Sequence, residues 1–244
     1  MIVVVVKSET SEKKNTLLTI LNKVKLRIML IFIFTHYVFN VSPSVSKKSL
    51  GLSYKCIRDI GTILGNWIAK KQLDEDNSII KFGGCNSIIE IDESCFFKRK
   101  YNRGRMLDQV WVFGLVDRFS GRLFAQVVEQ RNADTLIPII VKYIRHDTEL
   151  IVSDEWKSYS SLTVEFNHQS VKHKIHFVDP NDRRIHTQTI ENRWGQMKRM
   201  MKKHGRVLRT DFHVRLKDMV WRIQNHKDIQ NKILKIINSN NFKN

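Results

Sequence analysis

Between Ser87 and Ser153 the chain reads as three short apolar runs, one amphipathic stretch and a fourth apolar run, an order that admits few folds. Ser87–Asp92, Gln109–Asp117 and Arg122–Gln130 are rich in Val, Ile, Phe and Trp, residues that suit a pleated, half-buried surface. Asp117-Arg-Phe-Ser-Gly121 supplies a turn between the last two, so the three read as consecutive antiparallel strands. Over Asn132–Arg145 the residues Ala133, Leu136, Ile137, Ile140, Val141 and Ile144 fall near the helical period, with Pro138 inside the first turns. A strand at Leu150–Ser153 is then most simply parallel to its partner, because a helical crossover returns the chain to the same sheet in the same direction. Lys174–Val178 is expected as a further strand and His186 to about His204 as a long helix. The fold class is α/β, a mixed sheet with flanking helices.

Ahead of the sheet the pattern is helical. Residues 15–40 and Ser49 to about Lys71 read as helices, with turn and capping residues in Ser42-Pro-Ser-Val-Ser46 between them. Within the second segment, Gly51 offers a turn, Ser53 an N-cap, and Ile57, Ile60, Leu64 and Trp67 an apolar stripe. That pattern fits a helix-turn-helix, whose second helix enters a major groove, and it fits an ordinary small helical bundle equally well. Leu73-Asp-Glu-Asp-Asn77 is a polar linker that ends near Gly83-Gly84. The expected organisation is a helical region over residues 1–75, an α/β domain over 86–225 and a basic tail over 226–244.

The net charge is +18, and residues 181–244 hold 16 Lys and Arg against 5 Asp and Glu, so that stretch carries +11 of it. Such a field attracts phosphate backbones, and double-stranded DNA is the expected partner. Cys56, Cys85 and Cys95 are odd in number and lack C-x-x-C spacing, which excludes a disulfide scaffold or a cysteine zinc module and points to a reducing compartment. The opening Met1–Val6 is too short for a signal core, and the apolar run from Ile28 to Val41 is interrupted by His36 and Asn40, so no membrane span is expected.

Three acidic residues stand out against this basic background. Asp92 ends the first apolar run, Asp154 follows the fourth, and Glu191 lies in the long helix beside the stripe of Ile190, Trp194, Met197 and Met201, on the side shared with Lys198 and Lys202. A carboxylate beside apolar strand residues is costly unless a cation or hydrogen bonds compensate it. Two Mg²⁺ or Mn²⁺ ions held by carboxylates from separate elements can activate a nucleophile and stabilise a leaving oxygen in phosphoryl transfer. Each residue also has a plainer role: Asp154 as an N-cap before Trp156-Lys-Ser-Tyr159, Glu191 as a surface partner of a lysine.

Four segments, Ile89-Glu-Ile-Asp-Glu-Ser94, Val112-Phe-Gly-Leu-Val-Asp117, Ile151-Val-Ser-Asp-Glu-Trp-Lys-Ser-Tyr159 and His186-Thr-Gln-Thr-Ile-Glu-Asn-Arg-Trp-Gly-Gln-Met-Lys198, resemble DDE transposases of the insertion-sequence and Merlin type, ISXO2-like, in family order. The resemblance implies a ribonuclease-H-like domain behind a helix-turn-helix-like one. It also implies a triad of Asp92, Asp154 and Glu191 holding two Mg²⁺ or Mn²⁺ ions, and cleavage at transposon ends followed by strand transfer. Glu93 and Glu155 are rivals of the neighbouring aspartates, but adjacent strand residues face opposite sides, so one of each pair enters the site; Glu155 is the expected auxiliary. Lys198 matches the family's basic position after the tryptophan and is expected on a phosphate, with Arg193, Arg199, Lys202, Lys203, Arg206 and Arg209 along the DNA backbone. His186 and His173 are candidates to orient a substrate or water, and His186 equally to start the helix.

The amino-terminal zinc ribbon of bacterial relatives has no counterpart here, as a truncated or decayed element would show. The resemblance further implies a homo-oligomer, located in the nucleus of a eukaryotic host or with a bacterial nucleoid. A nuclease of the same fold and a DNA-binding protein that has lost catalysis are the alternatives.

Overall fold

A computed structural model of the chain describes residues 31–32, 35–36, 39–76, 81–97, 109–172, 178–203 and 211–241. Two compact units emerge, one over Leu73–Met200 and one in which the described residues up to Gln72 group with those from Met201 onward.

The first unit is built on a five-stranded sheet. Its strands are β1 (Ile88–Cys95), β2 (Trp111–Asp117), β3 (Leu123–Val128), β4 (Leu150–Asp154) and β5 (His168–Val171), in the order β3-β2-β1-β4-β5. β1 pairs antiparallel with β2 and β2 with β3, whereas β4 runs parallel to β1 and β5 parallel to β4. This mixed sheet, with its antiparallel meander followed by parallel strands, is the expected ribonuclease-H-like arrangement. The strand expected at Lys174–Val178 falls almost entirely outside the described residues, and β5 at His168–Val171 was not foreseen. β1 also runs three residues further than its apolar run, because Glu93, Ser94 and Cys95 pair with Phe113, Val112 and Trp111. Asp92 therefore sits inside a strand, with backbone partners on its β2 side, instead of at a strand end.

Alternation along β1 sends Ile89, Ile91 and Glu93 to one face and Glu90, Asp92 and Ser94 to the other. The first face is the hydrophobic core. Ile89, Ile91, Phe113, Leu115 and Ile151 meet Leu136, Ile140 and Ile144 of the crossover helix α3 (Ala133–Tyr143) and its end, together with Tyr159, Leu162 and Phe166. Helix α3 starts where read, with Asn132 Oδ1 accepting the Thr135 amide at 3.1 Å, and it tolerates Pro138 on its exposed side. A 3₁₀ helix at Lys157–Val164 follows β4 and brings Tyr159 and Leu162 beneath the sheet. The second face is covered by α4 (Gln188–Lys203), which buries Ile190, Trp194 and Met197.

The second unit is helical. α1 (Pro43–Leu50) ends at Gly51, whose φ of 66° is the left-handed conformation that glycine adopts without a Cβ penalty. α2 (Tyr54–Asp76) opens three residues later, with Ser53 Oγ accepting the Cys56 amide at 3.1 Å. The glycine turn and serine cap are thus as the sequence reads. Ile57, Ile60, Leu64 and Ile68 of α2 pack with Trp221 of α5 (Phe212–Gln224) and with Ile233 and Ile236 of α6 (Ile229–Asn241). The segment expected as a basic tail thus contains a helix with two buried isoleucines. In α5, Asp218 is buried and accepts from both Arg215 and Arg222, at 2.9 and 3.0 Å. Most of residues 15–40 lie outside the described residues, and among those described no helix is long and apolar enough to cross a membrane.

Ile140 is fully buried against the first face of the sheet. Ile140→Ala is expected to lower the unfolding free energy by about 2–5 kcal/mol, measured as a shift of the urea midpoint at constant slope.

Candidate active site

The polar face of β1 and one side of α4 are joined by three rungs. Glu90 Oε2 accepts the Ile190 amide at 2.8 Å, Asp92 Oδ2 accepts the Trp194 indole N–H at 2.9 Å, and Ser94 Oγ accepts from Lys198 Nζ at 2.6 Å. Residues two apart in a strand are about 6.6 Å apart, and residues four apart in a helix about 6 Å, so strand and helix stay in step over this length. α4 accordingly lies along β1 with the same chain direction.

The first rung is the most deeply buried. Glu90 has no solvent exposure, and its other oxygen accepts from Arg118 Nε at 2.6 Å. The remaining nitrogens of Arg118 donate to the carbonyls of Arg184 and His186, each at 2.6 Å, which fixes the chain where it enters α4. The helix start thus receives a strand carboxylate on its third amide and the Thr187 carbonyl on the Glu191 amide. His186 Nδ1 lies 3.5 Å from Glu90 and also accepts the Gln188 amide at 3.4 Å, so this side chain does help start the helix. Burial and the Arg118 charge hold its imidazole below the usual histidine range, against the opposing pull of Glu90 and Glu191.

The second rung rests on a glycine. Asp92 is paired with Gly114 across β1 and β2, and a Cβ on Gly114 would come within 2.4 Å of the Trp194 ring. The bare backbone lets the indole lie across β2 and present its N–H to Asp92. Phe96 meets the same ring edge to face, with centroids 5.9 Å apart.

Asp154 joins Asp92 through the sheet. The parallel register pairs Glu90 with Val152, so two residues on, Asp154 stands level with Asp92 and on the same face. Burial pushes the Asp92 carboxyl up to about 7, and the charge of Asp154 adds to this, against the opposing hydrogen bonds from Trp194 and the Glu93 amide. Two carboxylates crowded in this way are a donor set suited to a divalent ion.

Glu93 turns to the opposite face, as alternation requires. It is buried there, accepts from Arg131 Nε at 3.1 Å and is bonded by the Tyr159 hydroxyl. Burial raises its carboxyl to about 7 despite Arg131, with Asp154 contributing. Glu155 is exposed and 3.8 Å from Lys172, a surface ion pair. Glu191 lies on the exposed side of α4, accepting the Thr187 hydroxyl at 3.0 Å. The structure brings together Asp92 and Asp154, and Glu191 lies on α4, the helix whose Trp194 bonds Asp92; among the described residues no group of three or more His, Cys, Asp or Glu side chains forms a metal site. Of the basic residues, Arg199, Lys202 and Lys203 are exposed, Arg193 is half-buried with Nη1 on Gln196, and Lys198 is held by Ser94. His173, Arg206 and Arg209 lie outside the described residues.

Residues 88–224, more than half of the chain, match the family model of the ISXO2-like transposase domain. The chain belongs to that family. An uncharacterized transposase-like protein of Haemophilus influenzae is 29% identical to this chain over 113 residues, which is 46% of this chain and 88% of the relative. Among solved structures, the catalytic core domain of HTLV-2 integrase in complex with magnesium is similar at 14% identity and a TM-score of 0.37, over 57% of this chain and 86% of that one. The catalytic core of BIV integrase is similar at 11% identity and a TM-score of 0.34, over 53% and 80%. A chain of the simian T-cell lymphotropic virus intasome is similar at 16% identity and a TM-score of 0.38, over 58% of this chain and about half, 49%, of that one.

Gly114→Ala is expected to displace Trp194 and cost about 1–3 kcal/mol, read in urea unfolding, as overpacking does. The raised carboxyls of Asp92 and Glu93 set a pH dependence of stability. Their folded-state values exceed the ordinary 3.8 and 4.5, so the penalty for ionising them is absent below about pH 4 and is complete above about pH 7. Thermal midpoints should fall as pH rises through this window in the absence of divalent ions, and Asp92→Asn should flatten part of the fall.

Proposed function

We propose that this ISXO2-like transposase cuts DNA at transposon ends and joins the freed 3′-hydroxyl to target DNA by metal-dependent phosphoryl transfer. The observation that carries the reading is the crowded Asp92–Asp154 pair at the centre of the sheet, in a chain of net charge +18. Asp92 and Asp154 would hold Mg²⁺ or Mn²⁺, and Glu191 is the third carboxylate that the family resemblance assigns. A bound divalent ion there supplies activation of the attacking oxygen and stabilisation of the leaving one. The chain's own contribution is positional. Trp194 and the Glu93 amide orient the Asp92 carboxylate, the Glu90–Arg118 pair fixes the start of the helix that carries Glu191, and the exposed Arg199, Lys202 and Lys203 meet the DNA backbone.

In the same proposal the α1–α2 pair reads the terminal repeat as a helix-turn-helix, the protein works as a homo-oligomer, and its place is the nucleus or the nucleoid. A second reading rests on the net charge of +18 and the exposed Arg199, Lys202 and Lys203 alone: a transposase-derived protein that binds DNA without cutting it.

Strand transfer with Mg²⁺ or Mn²⁺ separates the two. Asp92→Asn and Asp154→Asn are expected to reduce joined products by roughly 10²-fold or more, the order seen when one preorganised charge-stabilising group is removed. Glu191→Gln should do the same if it completes the site. Mn²⁺ should raise the thermal midpoint of the wild type and not that of Asp92→Asn, since a ion that binds only the folded form stabilises it. Salt-sensitive DNA binding with neither joined products nor cut ends establishes the second reading.

A further inference from the structure

Trp156, two residues beyond Asp154, is a large apolar ring that the fold holds in place and yet leaves 38% exposed. Its indole N–H donates to the Arg131 carbonyl at 2.8 Å, and its backbone amide donates to Asp154 Oδ1 at 3.2 Å. One face is covered: the Arg131 guanidinium lies 4.3 Å from the Trp156 ring centroid and 4.0 Å from that of Trp111. Arg131 is itself tied down, through Nε to buried Glu93 and through its carbonyl to the Ser158 hydroxyl. The single polar group of the indole is therefore already bonded and one face is occupied, so what remains for a ligand is the other flat face. A ring fixed in this way loses little freedom on binding, which favours a flat unsaturated partner.

We infer that Trp156 is a stacking platform for an unpaired nucleobase next to the phosphate that Asp92 and Asp154 act on. The partner class follows from the surroundings: the backbone amide of Trp156 is hydrogen-bonded to one member of the aspartate pair, the chain is strongly basic, and nucleobases are the flat groups attached to phosphate chains. A paired base inside a duplex has no free face, so the base must be at a frayed or single-stranded end. The platform rests on the proposed function for its location beside the scissile phosphate, but its binding is independent of the chemistry.

The probe is a DNA duplex with a short single-stranded overhang carrying 2-aminopurine, compared with the same duplex blunt-ended, both in EDTA with the full chain. Trp156→Ala is expected to weaken overhang binding roughly 5- to 150-fold, the equivalent of about 1–3 kcal/mol for one stacked base, while blunt-duplex affinity stays unchanged. Trp156→Phe should restore most of the loss and the quenching of 2-aminopurine. Should the alanine variant fail to fold, Trp156→Leu, which keeps an apolar side chain and loses the aromatic face, takes its place. An equal loss on both duplexes, or no loss on either, overturns the platform, as does full rescue by leucine. Because no metal is present, the result does not depend on catalysis. Loss of strand transfer in Asp92→Asn with overhang preference intact leaves the platform standing, and a platform failure with strand transfer intact leaves the proposed function standing.

Discussion

A carboxylate with no exposure in the middle of a sheet must be answered by donors, and Glu90 obtains them from two directions. Arg118 comes from the turn after β2 and the Ile190 amide from the first turn of α4. Removing one partner of such a buried pair typically costs about 3–5 kcal/mol, because the charge left behind has no water to turn to. The interaction therefore selects a single axial setting of α4 on β1. With that setting fixed, Trp194 falls opposite Asp92 and Lys198 opposite Ser94, and the polar face of the sheet is organised from one end to the other.

The opposite face of β1 shows the same economy in apolar form, with one exception. Ile89 and Ile91 enter a core of aliphatic and aromatic residues, but the next inward position is Glu93. It is accommodated by Arg131 and Tyr159, which arrive from the segment after β3 and from the 3₁₀ helix. Consecutive acids in β1 thus serve opposite sides of one strand. Asp92 faces Asp154 and α4, whereas Glu93 anchors the arginine that backs Trp156.

Much of the sheet was legible because apolar runs and a turn at Asp117–Gly121 separate β1, β2 and β3, and because the stripe on α3 has a clear period. The stripe of Ile190, Trp194 and Met197 likewise marked the buried side of α4. What escaped has physical reasons. β5 is His-Gln-Ser-Val, a short edge strand with two exposed polar residues and no apolar run to announce it. β1 was read too short because Glu93-Ser94-Cys95 lacks the large apolar side chains that signal a strand. Asp92 and Asp154 were found as a pair from their places after apolar runs, since parallel pairing of the two strands puts such positions level. Glu90, Arg118 and Gly114 were missed as site residues because their partners lie 100, 68 and 80 positions away along the chain, and spacing within one sequence carries no trace of such contacts. The only hint was a second acid two residues before Asp92, on the same face of the strand.

The contact between Gly114 and Trp194 also bears on how this sheet can diverge. A side chain at position 114 and a six-membered indole ring above it claim the same volume, so neither site can drift independently. Descendants of such a chain that acquire a methyl group or more on β2 must accept a smaller ring, or none, on the helix. In doing so they give up the donor that now steadies Asp92, which ties the evolutionary fate of a featureless strand position to that of the carboxylate beside it.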